Sequence, residues 1–237
     1  MLIGEEFDKI EFQFFGLDLL EPNAFAGDLI IFIVSFYFAY KLKSFFQTPF
    51  IKNWYRFFIL FGLGFLFGGF GHFFYNYWGT PGKYVGWFSG FIYVFFIEQA
   101  MLPFIKNKKQ RGTLILISKI KMVLAFIAEI FVVSTVDLEV NYTPAMKVPL
   151  LNSSVGLIFS LAILGYFFMK RISPGFKYFI FSVLIMLPSL LFQVLNINIA
   201  PWFDKNDAGH LFVVVGVFFY YFGVKRVAQD QKILAND

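Results

Sequence analysis

AGDLIIFIVSFYFAYKLKSFFQTPFIKN, residues 26–53, is an apolar run followed by a basic, proline-containing separator. Residues 26–42 form a helix of about the length needed to cross the hydrocarbon of a bilayer, roughly 30 Å at 1.5 Å per residue. The separator, with Lys41, Lys43 and Lys52 around Pro49, belongs in water. The same alternation continues down the chain. Apolar segments lie near 26–42, 55–75, 84–105, 117–136, 148–169, 176–196 and 208–224, divided by polar or helix-breaking stretches such as YWGTPGK, KNKKQRG, DLEVNYTPAMK, KRISPGF and APWFDKND. The expected fold is an all-α integral membrane bundle of seven transmembrane helices without a sheet. Residues 1–25, containing EEFDKIEFQFF, read as a short amphipathic segment on the outer surface, 26–226 as the transmembrane domain and 227–237 as a cytoplasmic tail.

Composition supports this class and excludes others. Hydrophobic residues make up 59% of the chain and charged residues 15%, with a mean hydropathy of +0.70, far outside the range of a soluble domain. The basic residues lie in the separators and not along a groove, so the net charge of +5 reports topology and no nucleic-acid partner is expected. The absence of cysteine removes disulfides, thiolate nucleophiles and thiolate metal sites. Any site must use imidazole, carboxylate, amide or hydroxyl groups.

Charge also orients the chain, because cytoplasmic loops carry the excess of Lys and Arg. Sixteen of the twenty basic residues fall on one side of the alternating loops, and only Lys9, Lys83, Lys147 and Lys205 fall on the other. The N-terminus is therefore expected outside, the C-terminus in the cytoplasm, and the protein in the cytoplasmic membrane of a bacterium.

On that topology the two histidines share one depth. His72, in GGFGHFFYN, ends the second span and His210, in KNDAGHLFVV, begins the seventh. Glu21 and Asp28 flank the outer start of the first span, Asn206 and Asp207 precede His210 by one helical turn, and Glu129 lies in the outer half of the fourth. Ionisable groups inside spans are costly and mark sites. Each histidine alone also fits an interfacial anchor, and Asn206 with Asp207 also fits a helix N-cap. The run GLGFLFGGFG, residues 62–71, permits close helix approach. Glu98 and Gln99, in the inner half, are expected to bond within the bundle, and Trp54, Trp78, Trp87 and Trp202 to form interfacial belts.

These features resemble the alkaline ceramidase group of the CREST superfamily of membrane hydrolases. DLLEPN, with Asp18, Glu21 and Asn23, resembles the calcium-binding D-x-x-E-x-N stretch of those enzymes. Glu21, Pro22 and Asp28, then Gly68, Gly69 and His72, then Asn206, Asp207 and His210 also resemble a second family of seven-span proteins with EP…D, GGxxH and NDxxH motifs. The ceramidase resemblance implies Zn held by His72, His210 and a carboxylate from Asp207 or Asp28, with Asn206 and Glu129 behind them, Ca near the N-terminal segment, and cleavage of a lipid amide or ester. The sequence departs from that pattern where a serine is expected at Gly68 and a histidine at Asn206, and KYVGWFSG lacks the expected aspartate. Three readings stay open: a zinc-dependent lipid amidase or esterase, a non-catalytic receptor or binding protein for a lipid or small amphiphile, and a transporter using the cluster as a proton or ion site. Without metal, two imidazoles beside carboxylates make a pH-sensitive pocket.

Overall fold

The computed structural model describes residues 1–45, 48–141 and 143–234. Seven long helices run through it: α1 Pro22–Leu42, α2 Pro49–Phe73, α3 Thr80–Phe104, α4 Lys108–Thr135, α5 Thr143–Arg171, α6 Pro174–Val194 and α7 Lys205–Leu234. Their starts follow local chemistry. Thr48 Oγ1 accepts from Ile51 N at 3.3 Å with Pro49 in the first turn, and Asn107 Oδ1 accepts from Gln110 N at 3.1 Å, so free backbone donors are met by side chains. At α7 the capping group is Asp204, whose Oδ1 accepts from Asn206 N at 2.6 Å and Asp207 N at 3.2 Å. Asn206 and Asp207 are thus the capped residues and not the cap.

Among the described residues, six helices are long and apolar enough to cross a membrane: α1, α2, α3, α5, α6 and α7. This is a multi-pass membrane protein. The fourth expected span, 117–136, is, as far as Thr135, the second part of a longer helix, α4, which Lys119, Lys121 and Glu129 keep out of that apolar set. The tail expected over 227–237 is instead a continuation of α7 through Leu234, and residues 235–237 lie outside the described residues.

The expectation of no sheet is corrected. Strand β1 Leu2–Ile3 pairs antiparallel with β4 Ile197–Asn198, and β2 Glu11–Phe14 pairs with β3 Leu17–Leu20. The hairpin turns at Phe15 and Gly16, both with positive φ (48° and 75°), the backbone a two-residue hairpin turn requires. EEFDKIEFQFF therefore enters an extended hairpin, because the Phe15-Gly16 turn lets the period-two stretch EFQF fold back on LDLL.

The helices close on themselves. α1 packs on α2 and α7, α7 on α6, α6 on the π-helical stretch Ile158–Leu164 of α5, α5 on α3, and α3 on α2. α4 packs against α3 and α5 on the outside of this ring of six, presenting Leu116, Ile120, Leu124, Ile127 and Phe131 outward. Glycines permit the tightest approach: a Cβ on Gly71 would lie 2.6 Å from the backbone oxygen of Gly82, and one on Gly69 would lie 2.9 Å from Asp28 Cβ. The end of the ring away from the N-terminal hairpin is filled by aromatics. Trp54 is fully buried and stacks on Phe179, centroids 4.9 Å apart and planes within 6°, and Phe57 and Tyr220 pack edge-on beside them. Trp54 is thus core and not an interfacial anchor, while Trp78 and Trp202 stay exposed at the opposite end.

Candidate functional site

At the end of the bundle where α1, α3, α5 and α7 begin, each histidine meets a different carboxylate. His72, in the last turn of α2, brings Nδ1 to 2.6 Å from Glu21 Oε2. Glu21 sits immediately before α1 with φ 47°, a left-handed conformation that turns its side chain into the bundle, where it also pairs with Lys9 Nζ. Burial pushes the Glu21 carboxyl up, but the neighbouring His72 and Lys9 outweigh it and hold the group well below the usual carboxylate range.

One turn into α7, His210 Nε2 lies 3.0 Å from Asp28 Oδ1 on α1. The approach depends on Gly27, where a Cβ would stand 2.5 Å from His210 Nδ1. Asp28 Oδ2 and His210 Nδ1 are both buried without a hydrogen-bond partner among the described residues. A buried polar atom left unpaired is costly; Asp28 Oδ2 can accept one further contact, and His210 Nδ1 accepts when the ring is neutral and donates when it is protonated.

Both pairs line one cavity of about 810 Å³, together with Gly68 and Asn206. Asn206 accepts from Gln193 Nε2 at 3.1 Å. Charge is densest at one end of the lining, while the Asp28–His210 pair lies further in, with the His210 and Phe65 ring centroids 6.1 Å apart. Charged groups stand at the end where the helices begin: Lys83 on α3, Lys147 on α5, Lys205 on α7, and Glu6 and Lys9 from the N-terminal segment. Phe65 and Tyr93 lie further in, Tyr93 roughly 20 Å along α3 at 1.5 Å per residue. Trp87, expected in an interfacial belt, is part of the cavity wall. The N-terminal segment is tied over this end. Glu6 pairs with Lys205, Lys9 with Glu21, and Asn198 Nδ2 donates to Glu5 O at 2.6 Å.

The other expected site residues separate. Asp207 Oδ2 accepts from Asp204 N at 3.0 Å and does not line the histidine cavity. Glu129 is fully buried on α4, outside the ring, with neither carboxylate oxygen hydrogen-bonded among the described residues. Asp18 is engaged by Gln13 at 2.9 Å within the hairpin and Asn23 donates to Trp202 O at 2.5 Å, so Asp18, Glu21 and Asn23 point to three different partners and do not converge as a calcium site. Among the described residues no group of three or more His, Asp or Glu side chains is arranged to hold a metal ion. A catalytic zinc takes three protein ligands and a water. The residues present do not fit that ion, because each imidazole is already committed to its own carboxylate on a different part of the wall. The sequence signals that went unread are the lysines, which were used only to count charge. Lys9, Lys83, Lys147 and Lys205 are the four basic residues on the sparsely charged side, and all four line the cavity.

A second polar cluster lies among α3, α4 and α5. Glu98 Oε1 meets Lys121 Nζ at 2.9 Å, Ser118 bonds the other Glu98 oxygen, Gln99 donates to Ser118 at 3.2 Å, and Lys121 also donates to Asn152 Oδ1 at 2.7 Å. Glu98 and Gln99 thus bond within the bundle, as expected.

No curated protein and no solved structure matches the chain. A family model described as a family of unknown function, DUF6962, matches residues 24–229, which include all seven helices almost entirely, both histidines and Asp28. The chain belongs to the DUF6962 family.

Proposed function

We propose that this protein binds a lipid or small amphiphile, without catalysis, in the cavity at the histidine end of a seven-crossing bundle. The observation that carries the reading is the mixed lining of the cavity: lysines and carboxylates crowd the end where the helices begin, and Phe65, Trp87, Tyr93 and Leu150 supply apolar wall around the single inner polar pair, Asp28–His210. Its volume of about 810 Å³ lies within the range of small-molecule sites, roughly 300–1,000 Å³. A ligand with a polar head and an apolar tail matches both kinds of wall. The two histidine–carboxylate pairs support binding over hydrolysis, since they leave no shared metal position.

Gly68 supplies the test. It lines the cavity, and a Cβ there would meet nothing closer than Asp28 Oδ2 at 4.0 Å, so a larger side chain occupies the empty volume without striking backbone. Purified protein is expected to take up an environment-sensitive fluorescent acyl probe saturably, and Gly68→Leu to weaken that uptake about tenfold with little change in unfolding temperature. Equal uptake by both proteins sinks the reading.

The same reading makes α4 a seventh crossing. α3 and α5 both begin at the cavity, so α4 must return the chain along the bundle; 28 residues span roughly 42 Å. Two of the three charges that interrupt it are paired or enclosed, Lys121 by Glu98 and Glu129 by complete burial, while Lys119 is exposed and much of the outward face is apolar. In intact cells Asn107→Cys is expected to resist a membrane-impermeant thiol reagent until the membrane is opened, and Val140→Cys to react at once. Labelling of both from the same side removes the seventh crossing.

A further inference from the structure

The basic residues of this protein are divided very unequally between the two ends of the bundle, and the four at the sparse end are not scattered. Lys9 comes from the N-terminal segment, Lys83 from the start of α3, Lys147 from the first turns of α5 and Lys205 from the start of α7, yet all four line the one cavity. Four elements far apart in sequence each place a cation on the same wall. Cations serving only solubility at that end would have no reason to converge.

The wall is also cationic in sum. Its carboxylates are Glu6, Glu21 and Asp28. Each is engaged from within: Glu6 by Lys205, Glu21 by Lys9 and His72, Asp28 by His210. Four lysines stand against these three carboxylates on the wall itself, and a fourth carboxylate, Asp204, lies behind it 3.7 Å from Lys9. Lys147 has no carboxylate within ion-pairing distance among the described residues. Lys147 is exposed, so water screens part of its charge, and what remains at the cavity favours a ligand head of opposite sign.

The position of this charge fixes the rest of the ligand. The lysines mark the rim; Leu150 stands roughly 4.5 Å inward of Lys147 along α5, Trp87 roughly 6 Å and Tyr93 roughly 15 Å inward of Lys83 along α3 at 1.5 Å per residue, and Phe65 lies beside His210. We infer that the cavity selects single-chain amphiphiles with an anionic head, a carboxylate or a phosphate monoester held at the rim by Lys147, with the chain directed inward. This rests on the binding reading above and adds the sign of the head and the direction of entry.

The test uses full-length protein in a neutral detergent, with displacement of the fluorescent acyl probe as the readout. The competitors share one chain length: a fatty acid, a monoacyl glycerol phosphate, a monoacyl glycerol and an alkyl trimethylammonium, with inorganic phosphate and acetate as heads without tails. The anionic amphiphiles are expected to displace the probe about tenfold or more below the concentration the neutral one requires, the size of one charge-assisted hydrogen bond. The cationic amphiphile and the free heads are expected to be weaker than the neutral one. The ratio of fatty acid to glycerol phosphate distinguishes the two anionic heads, either order supporting the assignment. Lys147→Gln is expected to narrow the preference and Lys147→Glu to abolish it, with an unchanged thermal unfolding temperature showing that the variants are folded. Neutral or cationic amphiphiles binding as tightly as anionic ones overturns the head-group assignment and leaves the binding reading standing. Phosphate alone binding as tightly as its amphiphile overturns the amphiphile class. Binding of none overturns both.

Discussion

Glu98→Ala is expected to lower the stability of the purified protein by about 3–5 kcal/mol, the usual cost of removing one partner from a buried ion pair. Lys121 lies roughly 20 Å along α4 at 1.5 Å per residue, far from either end, and would be left with Asn152 alone. Ser118 and Gln99 would lose the carboxylate that orders them. Replacing both charges with methionine is expected to regain most of the loss, because two uncharged side chains of similar length leave no ion unpaired. Thermal unfolding of the two single variants and the double variant in one detergent measures the coupling. If Glu98→Ala unfolds within about 1 kcal/mol of the natural protein, the pair is hydrated and the cluster does not tie the three helices together.

Glu21→Ala is the second large effect, with a loss of about 3 kcal/mol by the same reasoning, since it strands His72 and leaves Lys9 with Asp204 alone at 3.7 Å. It also carries a pH signature. The native carboxyl is held below its ordinary value of 4.5, so folding favours the ionised form. The stabilisation is complete above that ordinary value and is lost as the pH falls through the lower native one. The natural protein is therefore expected to lose stability more steeply than Glu21→Gln on acidification below about pH 4.5. Parallel slopes for the two proteins would mean that Glu21 is not charged in the folded state.

Much of the fold is legible in the residues taken one after another. A lipid-spanning segment has to satisfy its backbone internally and present apolar side chains over a fixed thickness, so span positions are written as runs, and six of the seven expected runs are helices apolar enough to cross. The pairing of Glu98 and Gln99 inside the bundle and the close approach at the glycine run were readable for the same local reasons. Two local signals were misread. The hairpin of residues 11–20 was hidden because alternating residues beside a turn at Phe15 carry a weaker signal than a helical run, and α7 extends through Leu234 because its polar end continues helical beyond the apolar stretch.

The site was legible only in part. Sequence placed His72, His210, Glu21, Asp28 and Asn206 at one depth, and all five line the cavity. Depth along a helix is a matter of counting residues, but direction around it depends on which neighbours the helix has. That is why Glu129, at a similar depth, faces the α4 side of the ring and not the cavity, why Asp207 turns to Asp204 while Asn206 and His210 turn inward, and why Trp54 is core. It is also why two histidines that resembled a shared metal site became two separate histidine–carboxylate pairs. The sequence alone determined a helical membrane protein with a polar end, because hydrophobic length is a local property. Only the tertiary structure decided which polar groups meet and that four lysines from four elements share one wall, because the ring closure that brings them together joins residues nearly two hundred positions apart, as Glu6 and Lys205 show.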